Sequence, residues 1–164
     1  YISPELEVPE AHEAVLMQVG AYARDNGHVA EEGINCGVDY FVSGDEVIVT
    51  EINARWTGGL FPAEFLRRLA ITQPAVAFFD IVPVAHSGAV RTFQREHLFP
   101  AAGDSFAYVP MGFTPFAMEI EGAERYFVWQ IVVGDFAAFV EAKRQTLPED
   151  TFPTAELILK EALS

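Results

Sequence analysis

Apolar residues recur along this chain with two different periods, and the change of period marks its elements. Between Pro9 and Asn26, Val15, Val19 and Tyr22 fall at helical spacing, which predicts a helix over residues 9–26. Pro9 suits a first helical turn, Glu10 and Glu13 sit at the positive end of the dipole, and Asn26-Gly27 is a stop signal. Beyond it comes the apolar run Val47-Ile48-Val49. Residues 37–43 and 46–53, "GVDYFVS" and "EVIVTEIN", read as two strands around the turn cluster Ser43-Gly44-Asp45. Residues 54–61 are expected as loop. Pro62 is expected to open a helix, "PAEFLRRLA", that ends near Thr72-Gln73-Pro74.

The second half is less regular. The apolar run over residues 75–85 fits a buried strand or a helix, and its period does not separate the two. Residues 89–95 read as a strand. "FPAAGDSFAYVPMGFTPF" is punctuated by Pro and Gly, which predicts loop and short strands. Residues 116–121 and 125–133 read as a hairpin around Gly122. Asp135 is a cap for a helix to about Gln145, and a last helix covers about Thr154 to Ala162. The expected fold class is α+β. Residues 1–74 would form an antiparallel sheet with flanking helices, and residues 75–164 a small α/β extension, with the boundary near Thr72–Pro74.

Size and charge narrow the classes of function. The chain has 164 residues, enough for one domain or two small lobes, and 51% are apolar, enough for a core. Its formal charge is −14, from 24 acids against 10 bases. Such a chain should repel nucleic acid and anionic membranes, whose binding depends on clustered Lys and Arg. A bound polyphosphate would need metal ions or a basic partner segment. The single cysteine, Cys36, excludes a disulfide framework and fits a reducing, cytoplasmic compartment. It reads as a small buried hydrophobe. His12, His28, His86 and His97 share no ligand spacing with one another or with Cys36, which argues against zinc. The longest apolar run, near "AVAFF", is cut by Asp80 and Pro83, too short to span a bilayer. The chain opens with Tyr1 and runs straight into "ISPELEVPEAHEAV", so it is expected to come from a longer protein.

The candidate chemistry lies in "EINARWTGG", residues 51–59. Positions i and i+2 of a strand share a face, so Glu51 and Asn53 project together and Arg55 follows on the loop side. Whether Asp39 on the neighbouring strand joins them depends on register. A two-residue turn at Gly44-Asp45 would put Asp39 opposite Thr50, on the wrong face. A three-residue loop would put it opposite Glu51. Two carboxylates facing each other are destabilising without a cation, and oxygen-only ligands suit Mg²⁺ or Mn²⁺.

"GVDYFVSGDEVIVTEINARWTGG" resembles the metal-binding hairpin of ATP-grasp enzymes: G-x-D-hydrophobic, a hairpin, hydrophobic-E-hydrophobic-N-x-R, then a glycine loop. The matching positions are Gly37, Asp39, Glu51, Asn53, Arg55, Gly58 and Gly59. The resemblance covers roughly residues 20–70. It implies the C-terminal lobe of an ATP-grasp core over residues 1–74, in which Asp39, Glu51 and Asn53 hold Mg²⁺ (or Mn²⁺) against the ATP phosphates. The implied activity is a carboxylate–amine ligase working through an acyl phosphate, with small-molecule carboxylate and amine substrates. Arg55 would face the transferring phosphate or the acceptor carboxylate. Gly58 and Gly59 would let backbone approach the bound nucleotide or substrate, and amides at the start of the Pro62 helix would add donors. The family's glycine-rich flap and phosphate-binding lysines are not recognisable; the only lysines are Lys143 and Lys160. A preceding ATP-grasp segment is therefore expected as partner, and the chain alone is expected to be inactive. Residues 75–164 match no familiar pattern; they are expected to shape substrate choice or form a homodimer. Two other classes compete: a non-catalytic binding module built on the aromatic second half, and a metal-dependent hydrolase using the same carboxylates.

Overall fold

β-Branched and aromatic residues build the first hairpin, and a computed structural model of the chain shows what it carries. Residues 8–29, 36–44, 46–55, 57–100 and 105–162 are described. Residues 1–7, Asp45 of the turn, Trp56, and residues 101–104 of the Pro/Gly-punctuated segment lie outside them. The fold is α+β, with antiparallel sheets and flanking helices. It divides into two compact units, Glu5–Arg68 and Leu69–Ser164; the sequence reading placed the division slightly later, near Thr72–Pro74.

The first unit holds α1 (Glu10–Asp25), β1 (Gly37–Ser43), β2 (Glu46–Asn53) and α2 (Leu60–Arg68). Helix α1 stops at Asn26, and Gly27 takes φ +95°, a left-handed conformation that suits glycine. α1 packs against β2, and His12 meets Tyr40 edge-on at 6.0 Å. The inward face of the hairpin is Val38, Tyr40, Val47, Val49 and Ile52, all half-buried, while Asp39, Phe41, Ile48 and Glu51 are exposed. Helix α2 begins at Leu60, two residues before the expected Pro62, because Leu60 N–H already bonds Thr57 O at 3.1 Å. On its surface Glu64 binds both Arg67 and Arg68, at 2.7 and 2.8 Å. Hydrogen bonding to Arg67 first, then Arg68, holds the Glu64 carboxyl down at about 2. That pair of arginines shares one carboxylate on the helix face.

The second unit is a sheet in the order β3–β6–β4, from β3 (Ala75–Pro83), β4 (Phe106–Phe113) and β6 (Ala123–Gly134), with β5 (Met118–Ile120) also on β6. These strands pair antiparallel, so the extension is α+β and not α/β. Residues 75–83, ambiguous in sequence, are strand: Val76, Phe78, Asp80 and Val82 alternate onto one buried face. Helices α3 (Ser87–Glu96), α4 (Phe136–Thr146) and α5 (Pro153–Ala162) follow. α3 overturns the strand expected over residues 89–95. Its buried residues are Val90, Phe93 and Gln94, at the i, i+3, i+4 spacing of a helix; β-branched Val90 and Thr92 gave the misleading strand signal.

The core joins Val76, Phe78 and Val82 of β3 to Val128 and Val132 of β6, with Val90, Phe93, Phe139 and Phe152 from the covering helices and connections. Three polar contacts lie inside. Tyr108 Oη receives Gln94 Nε2 at 2.9 Å and donates to Gln130 Oε1. Lys143, 1% exposed, donates to Glu156 at 2.9 Å and ties α4 to α5. Asp80 accepts the backbone N–H groups of Thr154 and Ala155, both at 3.1 Å, and so caps α5 from a distant strand. Asp135 caps α4 locally, accepting from Ala138 N–H at 3.0 Å, as the sequence predicts.

Candidate functional site

Each register alternative is half right. The turn between Ser43 and Glu46 has two residues, yet Asp39 lies opposite Glu51. A bulge reconciles the two. Tyr40 pairs with Val49, Asp39 pairs with Glu51, and Thr50 is left over on β2. Thr50 Oγ1 donates to Asp39 O at 3.0 Å, which fixes the extra residue against β1. The bulge also explains the side-chain pattern. Thr50 and Glu51 are consecutive exposed residues, and the inward face resumes at Ile52.

Asn53 joins the pair. Its Nδ2 donates to Asp39 Oδ2 at 3.3 Å, and at 9% exposure it is the buried member of the three. Gly37 lies opposite Asn53. A Cβ at Gly37 would run into Thr57 Cγ2, so the loop after β2 folds back over the bare Cα of β1. That contact is why a glycine stands there. The expected constellation Asp39, Glu51 and Asn53 is therefore brought to one end of one hairpin. Neither Asp39 nor Glu51 makes an ion pair with a described Lys or Arg.

Arg55 is exposed, and its N–H bonds Asn53 O at 2.7 Å in the turn that ends β2. Gly58 and Gly59 are exposed. A Cβ on either would meet nothing within 4 Å, and neither has a left-handed φ. The chain itself thus gives no reason for two glycines there. The expected donors at the start of α2 are scarce. Leu60 and Ala63 N–H are bonded to Thr57 O and Gly59 O at 3.1 and 3.3 Å, and Pro62 has no N–H. Cys36 is half-buried beside the hairpin, less enclosed than the expected core residue.

Sequence reasoning missed Thr50 and Thr57. Val49 and Ile52 both face inward three positions apart, an odd step that period two cannot produce without a bulge, so the signal for Thr50 was present. Thr57 carried none. Comparison with known protein families, curated proteins and solved structures returns no match. No described helix is long and apolar enough to cross a membrane.

Proposed function

We propose that the hairpin is the metal-binding half of the phosphate site of an ATP-dependent carboxylate–amine ligase of the ATP-grasp type. The observation that carries the reading is Asp39 directly opposite Glu51 on an exposed face, with Asn53 bonded to Asp39 and, among the described residues, no ion pair from a Lys or Arg to either carboxylate. Facing carboxylates are destabilising alone and favourable around a hard cation. Their oxygens, with the side-chain oxygen of Asn53, fit Mg²⁺ or Mn²⁺ better than a softer ion. A divalent ion there would neutralise and align the ATP phosphates for phosphoryl transfer to a carboxylate.

The rest of the work falls to this chain's own side chains. Asp39 and Glu51 supply anionic oxygens from opposite strands, so their spacing is set by the sheet. Asn53 steadies Asp39 through its Nδ2. Arg55, at the strand end, would offer a planar two-donor head to the transferring phosphoryl group or to the acceptor carboxylate. Gly58 and Gly59 leave room for backbone approach to that ligand. The adenine pocket and the lysines of the opposite lobe would come from a preceding segment in an ATP-containing cytoplasm. An exposed rather than enclosed carboxylate pair favours this reading over a self-contained hydrolase.

The test is substrate-dependent ADP release by a longer protein that includes the nucleotide-binding segment. Glu51→Gln should abolish it while leaving the hairpin folded. Turnover retained in Glu51→Gln would sink the proposal.

A further inference from the structure

The second unit carries a pair of cations that its own packing does not use. Arg91 and Arg95 lie one turn apart on α3, on the same side of the helix. Both line an open cavity of about 530 Å³ with Gly88, Leu98 and Pro110. Arg91 also lines an adjoining cavity of about 260 Å³ with Phe113 and Tyr126. Arg91 is common to both, so the two cavities adjoin along a groove beside α3, next to the edge strand β4 and Tyr126 of β6.

Charge makes this groove unusual. In a chain of net charge −14, acids outnumber bases heavily, and bases are readily neutralised. In this unit Lys143 and Arg144 reach Glu156 at 2.9 and 2.6 Å, and Arg125 reaches Glu121 at 3.9 Å. Arg91 makes no hydrogen bond or ion pair among the described residues, and Arg95 makes only a 3.4 Å contact with Thr92 Oγ1. No described Asp or Glu lines either cavity. Like charges at i, i+4 weaken a helix. The dipole rewards Arg95 in the last turn but gives no such reason for Arg91.

We propose that this groove binds a small organic anion, a carboxylate or phosphate joined to an apolar body. The two guanidiniums would hold the anion, and Leu98, Pro110, Phe113 and Tyr126 would receive the body. The volume suits a small molecule, and mostly apolar walls with a few converging polar heads are typical of such sites. Arginine is the side chain suited to planar two-donor binding of either anion. The site is independent of the hairpin and stands or falls separately.

The experiment titrates the full chain with phenyl phosphate, phenylacetate, inorganic phosphate and neutral benzyl alcohol, followed by calorimetry and by the arginine side-chain NMR signals. At least one aromatic anion should bind at millimolar concentration or below and shift Arg91 and Arg95. Arg91→Gln or Arg95→Gln should each weaken it by roughly tenfold, with Arg24→Gln as an unaffected control. Preference for phenyl phosphate assigns a phosphate ligand, and preference for phenylacetate a carboxylate. Binding unchanged in both variants, equal binding of benzyl alcohol, inorganic phosphate binding as tightly as phenyl phosphate, or no binding of any probe would overturn the proposal.

Discussion

Thr57 rests its methyl group over the bare Cα of Gly37, and this contact folds the loop after β2 back onto β1. It distinguishes two kinds of glycine in one motif. Gly37→Ala should destabilise the protein by about 1–3 kcal/mol, since a Cβ there overlaps the Thr57 methyl, and that side chain or its loop must shift. Gly58→Ala and Gly59→Ala should change stability little, because a Cβ there meets open space. Thermal melts check both, and Gly37→Ala combined with Thr57→Ala should recover most of the loss.

Asp80 and Ala155 are distant in sequence, but one carboxylate ends the strand's polar problem and starts the helix. Asp80→Ala would leave the N–H groups of Ile81, Thr154 and Ala155 without their partner. The expected cost is about 2 kcal/mol. Asp80→Asn should recover only part of it, because its NH₂ would face an N–H. Burial, outweighing those bonds, raises the Asp80 carboxyl above its usual range. Its contribution is therefore fully present at low pH and lost as pH rises through the folded value.

Glu156 has the opposite sign. Hydrogen bonding to Arg144 first, and to Lys143 as well, lowers its carboxyl below the ordinary 4.5. The stability it confers is present above that value and lost as pH falls through the folded one. Glu156→Gln leaves the enclosed Lys143 charge without its counter-ion and should cost about 3 kcal/mol. It should also flatten the acid limb of a stability–pH curve. Lys143→Met with Glu156→Leu should be less damaging than Glu156→Gln alone, measured by urea unfolding.

The hairpin was legible because the apolar run Val47-Ile48-Val49 lies just beyond a turn cluster that separates the strands. Glu51 and Asn53 followed from period two. Asp39's position did not, because the deciding residue is an ordinary threonine whose extra place shows only in the odd step from Val49 to Ile52. β3 was ambiguous because a strand with one buried face and a partly covered second one reads as a continuous apolar run. α3 was misread because Val90 and Thr92 suggest a strand, and reading it so hid the groove that Arg91 and Arg95 line. Asp80's role was not legible at all, since its partners lie far along the chain.

Occupancy of the hairpin by a divalent ion is the claim on which the functional account turns, and paramagnetic broadening reads it residue by residue. Mn²⁺ added below stoichiometry to the labelled chain should broaden the Asn53 side-chain amide and the backbone amides of Asp39 and Glu51 first. Excess Mg²⁺ should reverse the effect, and Glu51→Gln should weaken it by about tenfold or more. If the Asn53 amide stays sharp while other acidic patches such as Glu10–Glu13 or Glu149–Asp150 broaden, the hairpin holds no metal and the ligase reading is contradicted.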